Sequence, residues 1–256
     1  MERRWSCGRR LSNWKRGALC RLAHHYPSLL RFLSTVRPLC IHEYRFSDAT
    51  PARDLLVFLP GIGDCADDFE EKGLLRLVRQ TAWPVDIITV DAHYGYYADR
   101  TILEQLHQDI FAPARRKGYR HIWLVGISLG GFGALLYASR YPDNLTGVVA
   151  LAPFLGERPV IREIMTAGGL IKWPEVNAAD DVRLLWRWLR RHSTGKQLLP
   201  LVYLGFGQKD IFAEAHRLLA AALPEKQVLI AQGGHHWSVW QQLWQEFLER
   251  KIYARQ

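Results

Sequence analysis

A serine, an aspartate and a histidine occur in this sequence in an order that suits nucleophilic acyl chemistry. Ser128 lies within GISLG, Asp210 within GFGQKD and His235 within GGHHW. A serine hydroxyl is a weak nucleophile, so it needs a base to take its proton and an acidic group to orient that base. The pattern therefore predicts that Ser128 attacks a carbonyl carbon, that His235 acts as general base and that Asp210 orients His235.

The residues around Ser128 predict a sharp turn between a strand and a helix. The segment HIWLVGI at 121–127 is an apolar strand pattern, and the helical pattern at 129–141 follows the serine directly. Such a turn exposes the hydroxyl above a sheet, and glycines let the neighbouring backbone pass closely. An incidental serine in a glycine-rich turn is the plainer alternative. A phosphate-binding loop is disfavoured, because no Lys-Ser/Thr pair follows the glycines.

Two assignments in this set leave alternatives open. Asp210 follows a strand pattern, but aspartates in loops often serve only as helix caps. His236 is adjacent to His235, and we prefer His235 because it directly follows the Gly-Gly turn. The sequence therefore predicts that His235, and not His236, is the base.

An oxyanion hole needs two N–H donors, and two loops are placed to supply them. Leu129 follows the serine directly, and the loop LPGIGD after an earlier strand places Ile62 as the second donor. Further side chains at predicted strand ends are candidates for the pocket wall, although packing under loops explains them equally well. They are Asp64, Cys65, His93, Tyr94 and Phe154.

The elements that must position these residues alternate along the chain. Short apolar runs such as DLLVFL and VDIITV are separated by amphipathic stretches, which predicts an α/β fold with a mostly parallel central sheet flanked by helices. Helices are predicted at 67–82 and at 101–117, where Thr101 and Glu104 have the spacing of a capping box. The polar-aromatic stretch 91–97 is predicted to be a loop.

The distribution of charge and the spacing of the apolar runs divide the chain into a basic N-terminal extension at 1–42 and one α/β domain at 43–256. The extension has nine basic residues against one acidic residue, whereas the remainder is nearly balanced. It suits a solvated helical arm, a membrane-surface contact or an organellar targeting segment, and nucleic-acid binding is not expected. Residues 157–195 interrupt the strand rhythm and predict a small cap or insertion.

The remaining composition sets further expectations. No apolar run of about 18 residues occurs, so no membrane-spanning helix is expected. The four cysteines form no C-x-x-C pair, and free thiols in an intracellular, cytoplasmic or peripheral-membrane protein are the simplest interpretation. No metal site and no cofactor are indicated.

Taken together, LPGIGD, GISLGG, GFGQKD and GGHHW resemble the α/β-hydrolase superfamily, in particular its compact esterase-like members. The resemblance spans residues 54–240 and implies a serine hydrolase that cleaves a small-molecule carboxylic ester or thioester through an acyl-serine. Pro60 departs from the family pattern, in which a histidine often precedes the loop glycine. An acyltransferase is the alternative enzyme, and a catalytically silent scaffold that binds a membrane or a partner is the alternative outside enzymes.

Overall fold

The computed structural model describes residues 3–6, 38–47, 49, 51–174, 180–195 and 200–255, and in them one sheet of eight strands organises the chain. The strand order is β1-β2-β4-β3-β5-β6-β7-β8, and only the β1–β2 and β2–β4 pairs are antiparallel. The predicted mostly parallel sheet is confirmed. The strands are β1 (Arg3–Ser6), β2 (Ile41–Tyr44), β3 (Asp54–Leu59), β4 (Val85–Val90), β5 (His121–Ile127), β6 (Gly147–Leu151), β7 (Leu201–Gly207) and β8 (Val228–Ala231).

Helices cover both faces of this sheet, which is why its strands are continuous apolar runs. Alternate side chains of a strand point to opposite faces, so Leu55 and Val57 of β3 join one core cluster and Leu56 joins the other. The helices are α1 (Asp68–Glu71), α2 (Leu74–Arg79), α3 (Tyr94–Ala98), α4 (Ile102–Leu106), α5 (Ala112–Arg116), α6 (Leu129–Arg140), α7 (Arg158–Thr166), α8 (Asp181–Ser193), α9 (Ala213–Ala220) and α10 (Trp237–Glu249). Side chains of α1, α2 and α10 pack on one face, and those of α4 and α6 to α9 pack on the other.

Three predictions of local secondary structure and helix capping were wrong. The helix predicted at 67–82 is two short helices, because Gly73 has a φ of 82° and breaks the helical path between α1 and α2. The predicted loop 91–97 contains α3, whose first turn is capped by His93 accepting a hydrogen bond from the Gly95 N–H at 3.1 Å. Segment 101–117 is helical, but Thr101 makes no side-chain capping bond.

The same segment also contains a π-helical turn, His107–Phe111, between α4 and α5. Pro113 lies at the start of α5 and has no N–H to donate. A π turn accommodates one extra residue within a helix. The predicted amphipathic helix therefore forms with an irregular centre.

The segment predicted to be a cap, 157–195, contributes α7 and α8 between β6 and β7. The Asp180 carboxylate caps α8 by accepting the Arg183 N–H at 2.9 Å, and Arg183 also contacts Glu163 of α7 at 2.7 Å. The Trp186 indole N–H donates to the Leu155 carbonyl at 2.8 Å. These contacts bind the two helices to the loop after β6, while residues 175–179 lie outside the described part of the chain.

The N-terminal segment meets the sheet at its antiparallel edge. Strand β2 crosses the predicted boundary between residues 42 and 43, and β1 pairs with it. The predicted helical arm, membrane contact and targeting role concern residues 7–37 above all, which lie outside the described residues. Within the described residues, no helix is both long enough and apolar enough to cross a membrane.

The expectation of four free thiols was wrong. Cys40 is disulfide-bonded to a cysteine outside the described residues, while Cys65 keeps its thiol. A disulfide pattern was missed because the cysteine spacings match no known framework, and pairing depends on which backbone segments meet in space.

Candidate active site

Ser128 occupies the turn between β5 and α6 in a strained backbone conformation. Its φ is 52° and its ψ is −112°, an uncommon region for a residue with a side chain. Such strain persists only where surrounding structure holds it. Here the Ser128 N–H donates to the Leu151 carbonyl at 2.9 Å, and the Ser128 carbonyl accepts from the N–H groups of Phe132 at 3.1 Å and Phe154 at 3.0 Å.

The flanking glycines are required by close backbone contact. A Cβ atom on Gly126 would lie 2.2 Å from the Gly130 carbonyl oxygen, and a Cβ on Gly130 would lie 2.2 Å from the Leu59 carbonyl oxygen. Both distances are far shorter than van der Waals contact. The first turn of α6 therefore packs directly against the backbone end of β3.

Gly130→Ala is expected to lower the free energy of unfolding by about 3 kcal/mol or more, because the added methyl meets backbone that cannot rotate away. An alanine in a helix without this contact would instead stabilise by about 1 kcal/mol. Urea unfolding measures the difference, with Gly118→Ala as control. Gly118 has a φ of 92° and open space around it, so only a backbone cost of about 1 kcal/mol is expected there. A gain in stability for Gly130→Ala would contradict the close contact.

The sheet brings the serine, the histidine and the aspartate together at the carboxyl ends of its parallel strands. Nε2 of His235 lies 2.9 Å from Oγ of Ser128, and Nδ1 of His235 lies 2.9 Å from Oδ2 of Asp210. Ser128 follows β5, Asp210 follows β7 and His235 follows β8. A proton can pass from the hydroxyl to the ring, while the carboxylate holds the far side of the ring.

The surroundings of Asp210 keep it ionised and fixed. Burial of this fully covered carboxyl raises its pKa, but the hydrogen bonds from His235 and from the Phe212 N–H outweigh burial and hold the pKa of Asp210 below its ordinary value. The Phe212 N–H lies 2.8 Å from Oδ1 of Asp210. The carboxylate is therefore available to stabilise a positive charge on His235.

His236 points to a different set of atoms. Its Nδ1 lies 2.8 Å from Oγ of Ser238, and its Nε2 accepts from the Gly234 N–H at 3.4 Å. The residue is exposed at the start of α10. Of the two adjacent histidines, His235 is the one in contact with Ser128.

The loop predicted to supply the second oxyanion donor lies beside the serine. A Cβ on Gly61 would lie 3.5 Å from Cβ of Ser128, and the Asp64 N–H closes a turn on the Gly61 carbonyl at 3.2 Å. Ile62 lies within this turn and its side chain is half-exposed. Leu129 is the first residue of α6, so its N–H belongs to the unpaired N-terminal set of that helix. The assignment of Leu129 and Ile62 as donors remains a prediction.

The residues predicted to line the pocket wall lie in three different segments of the structure. Phe154 lies against the nucleophile turn, and its ring packs edge-to-face on Phe132 and on Phe212. Asp64 accepts a hydrogen bond from the Trp237 indole N–H at 3.3 Å, and Cys65 follows it in the same loop. By contrast, the two aromatic residues predicted from the stretch after β4 belong to α3, His93 as its cap and Tyr94 as its first residue.

Three residues near the site were not found by sequence reasoning. Phe212 and Trp240 place their rings edge-on to the His235 ring, with centroid distances of 5.3 and 5.1 Å. His216 of α9 lies behind Asp210, with Nδ1 4.0 Å from Oδ1 of the aspartate. For Phe212 a sequence signal was available, because this residue lies only two positions after Asp210. Trp240 and His216 have the spacing of ordinary core residues, and no sequence signal marks them.

In the described part of the chain, no three His, Cys, Asp or Glu side chains cluster closely enough to hold a metal ion.

Acid is expected to weaken the fold through His216. Burial lowers the pKa of His216 to about 4 in the folded protein. In the unfolded chain histidines titrate near about 6.5, so as the pH falls the unfolded chain binds a proton at this residue before the folded protein does. The stabilisation is complete above about pH 6.5 and is lost as the pH falls towards 4, for a total of about 3 kcal/mol. Unfolding free energies of wild type and His216→Phe between pH 4 and pH 7 test this. Equal pH dependence of the two proteins would contradict it.

A strained serine between a strand and a helix, joined to a histidine and an aspartate at the carboxyl edge of a mostly parallel sheet, is the architecture of an α/β hydrolase. The sequence model of the alpha/beta hydrolase fold matches residues 54–184. The chain therefore belongs to the α/β-hydrolase fold family.

Individual relatives agree with this family. An acetyl esterase from Caldicellulosiruptor saccharolyticus is 21% identical, over 59% of this chain and 60% of the esterase. The S-formylglutathione hydrolase from Staphylococcus aureus superposes with a TM-score of 0.59 at 12% identity, over 83% of this chain and 89% of that chain. A ferulic acid esterase superposes with a TM-score of 0.56 at 17% identity, over 82% and 90%. At these identities the solved structures establish the fold, and the chain spans about 60% of the curated relative it matches.

Proposed function

We propose that this protein is a serine esterase that hydrolyses a small-molecule carboxylic ester or thioester. The observation that carries the proposal is the continuous contact from Ser128 Oγ through His235 to Asp210, with both distances at 2.9 Å. Such distances fall within the range that direct proton transfer requires. The names of the acetyl esterase and of the ferulic acid esterase point to the same reaction class.

In the acylation step, Oγ of Ser128 forms a bond to the ester carbonyl carbon while Nε2 of His235 takes the hydroxyl proton. The carbonyl oxygen becomes an oxyanion, which we assign to the N–H groups of Leu129 and Ile62. Asp210 stabilises the imidazolium without becoming protonated. His235 then returns the proton to the leaving alcohol or thiol, and the carbon–oxygen or carbon–sulfur bond breaks.

In the deacylation step, His235 takes a proton from water as the water oxygen attacks the acyl-serine carbon. Collapse of the second oxyanion breaks the bond to Oγ, and His235 returns the proton to Ser128. The balance is one ester and one water consumed, and one acid and one alcohol released. Interception by an alcohol in place of water would make the enzyme an acyltransferase.

Fluorophosphonate labelling tests the proposal, because the reagent reacts only with an activated serine. We expect one label on the wild-type protein, located on Ser128, and turnover of short p-nitrophenyl esters. A folded wild-type protein that takes up no label would refute the proposal and favour a silent scaffold. Labelling together with ester cleavage that depends on an added alcohol would replace the hydrolase with an acyltransferase.

A further inference from the structure

A second histidine lies behind the aspartate, on the side opposite His235. His216 is the fourth residue of α9 and its side chain is fully buried. Its Nε2 lies 2.8 Å from the carbonyl oxygen of Pro153, and its Nδ1 lies 4.0 Å from Oδ1 of Asp210. The ring therefore lies between the turn that holds the acid and the loop that follows β6.

The hydrogen bond to Pro153 decides which ring nitrogen holds the proton. A carbonyl oxygen only accepts, so Nε2 of His216 must donate and, in the neutral ring, Nδ1 has no hydrogen. Nδ1 has no hydrogen-bond partner among the described residues. The ring thus gives Asp210 no second proton to share. It fills the space behind the carboxylate and leaves Oδ2 to His235 and Oδ1 to the Phe212 N–H.

The far end of the same ring is connected to the nucleophile. Pro153 follows Ala152, which has a strained φ of 47°, and precedes Phe154, whose N–H donates to the Ser128 carbonyl at 3.0 Å. The Pro153 carbonyl and the Phe154 N–H belong to one peptide group, so a displacement of that group would reach Ser128 directly. His216 connects the turn of the acid to the turn of the serine, two turns that are 82 residues apart in sequence.

We propose that His216 is a positioning residue of the active site, which fixes the Asp210 turn relative to the Ser128 turn and keeps the Asp210 carboxylate in hydrogen-bond contact with His235. This inference rests on the proposed esterase function. The charged or titratable groups that act on His216 are Asp210, His235 and Arg217. Arg217 is turned away, because its guanidinium donates to the Gln208 carbonyl at 2.8 Å.

His192 in α8 provides a matched comparison for a purely structural role. It is also buried, its Nε2 lies 2.9 Å from the Pro200 carbonyl oxygen, and its Nδ1 is likewise unpartnered among the described residues. Its ring packs on Trp188 at 5.5 Å, much as His216 packs on Phe206 at 5.2 Å. His192 differs in having no carboxylate of the site beside it.

The test compares His216→Phe with His192→Phe in the full-length protein. Both variants keep an aromatic ring, enlarge it equally and lose the hydrogen bond to a proline carbonyl, so both are expected to lose stability. His216→Phe is expected to slow fluorophosphonate labelling of Ser128 by about 10- to 100-fold, as small misplacements of catalytic groups do. In the pH profile of kcat/KM for this variant, the acidic limb should move to lower pH, because a less well-fixed Asp210 carboxylate stabilises the imidazolium less. His192→Phe should be labelled at a rate within about twofold of wild type, and the acidic limb of its pH profile should not move. A substitution far from the site has little effect on the reactivity of the site.

Two further variants keep the inference testable if His216→Phe does not fold. His216→Gln retains an N–H donor long enough to reach Pro153 and should label within about fivefold of wild type, whereas His216→Asn is too short and should be as slow as His216→Phe. Equal labelling rates and pH limbs in the two phenylalanine variants would overturn the inference, and so would equal rates for the glutamine and asparagine variants. Absence of labelling in the wild type would instead refute the proposed function.

Discussion

Replacing Ser128 with alanine is expected to lower kcat by a factor on the order of 10⁴ to 10⁶, which is the loss that follows removal of a catalytic serine. In the proposed mechanism the hydroxyl oxygen is the atom that becomes acylated, and no other side chain touches Nε2 of His235 at hydrogen-bond distance in the described residues. Alanine tolerates the backbone conformation of residue 128 no worse than serine does. The unfolding free energy should therefore stay within about 1 kcal/mol of wild type.

Hydrolysis of p-nitrophenyl acetate and mass spectrometry of the fluorophosphonate-treated protein measure this loss. Ser139→Ala is the matched control, because Ser139 lies on the same helix α6 and its hydroxyl donates only to the Leu136 carbonyl. That variant should retain wild-type turnover and the full mass increase on labelling. A Ser128→Ala protein that still turns over ester at more than about one tenth of the wild-type rate would rule out Ser128 as the nucleophile.

Replacing His235 with alanine is expected to lower kcat by a factor on the order of 10⁴ to 10⁶ as well, because the base and the serine act as a unit. The variant leaves the Ser128 hydroxyl in place but removes the only group in the described residues that joins it to Asp210. Fluorophosphonate labelling should fall with turnover, since both reactions need the serine proton to be taken up.

His236→Ala is the matched control for this prediction, since it removes an adjacent imidazole that contacts Ser238 instead. Turnover of that variant should stay within about fivefold of wild type, the size expected of a surface change beside a site. Steady-state kinetics on one p-nitrophenyl ester suffice for both proteins. If His236→Ala is the slower of the two, the base has been assigned to the wrong histidine.

The fold was predictable because each parallel strand is buried on both faces and therefore appears as an unbroken apolar run. DLLVFL, VDIITV and HIWLVGI all form strands where the pattern indicates them. Helix interiors were less predictable, since an amphipathic pattern does not reveal breaks. The break at Gly73 and the π turn at His107–Phe111 depend on single residues and on local backbone geometry.

The site was predictable to the extent that its residues follow strand ends. Ser128 directly follows β5, and Asp210 and His235 follow the ends of β7 and β8 within four residues. The carboxyl ends of parallel strands share one edge. Their mutual distances were not predictable from spacing. Nor was the second histidine behind the acid, because His216 has the pattern of an ordinary buried helix residue.

By itself, the sequence determined the class of fold, the strand-to-helix turn at Ser128 and the order in which serine, acid and base follow one another. These depend on local patterns of apolar residues and glycines, which act over a few residues. The tertiary structure alone decided that His216 lies behind Asp210 and that Cys40 is disulfide-bonded. It also placed His235, which the sequence favoured over His236, against the serine. Each of these depends on contacts between segments far apart in the chain, whose relative placement is set by packing across the whole sheet and not by any local pattern.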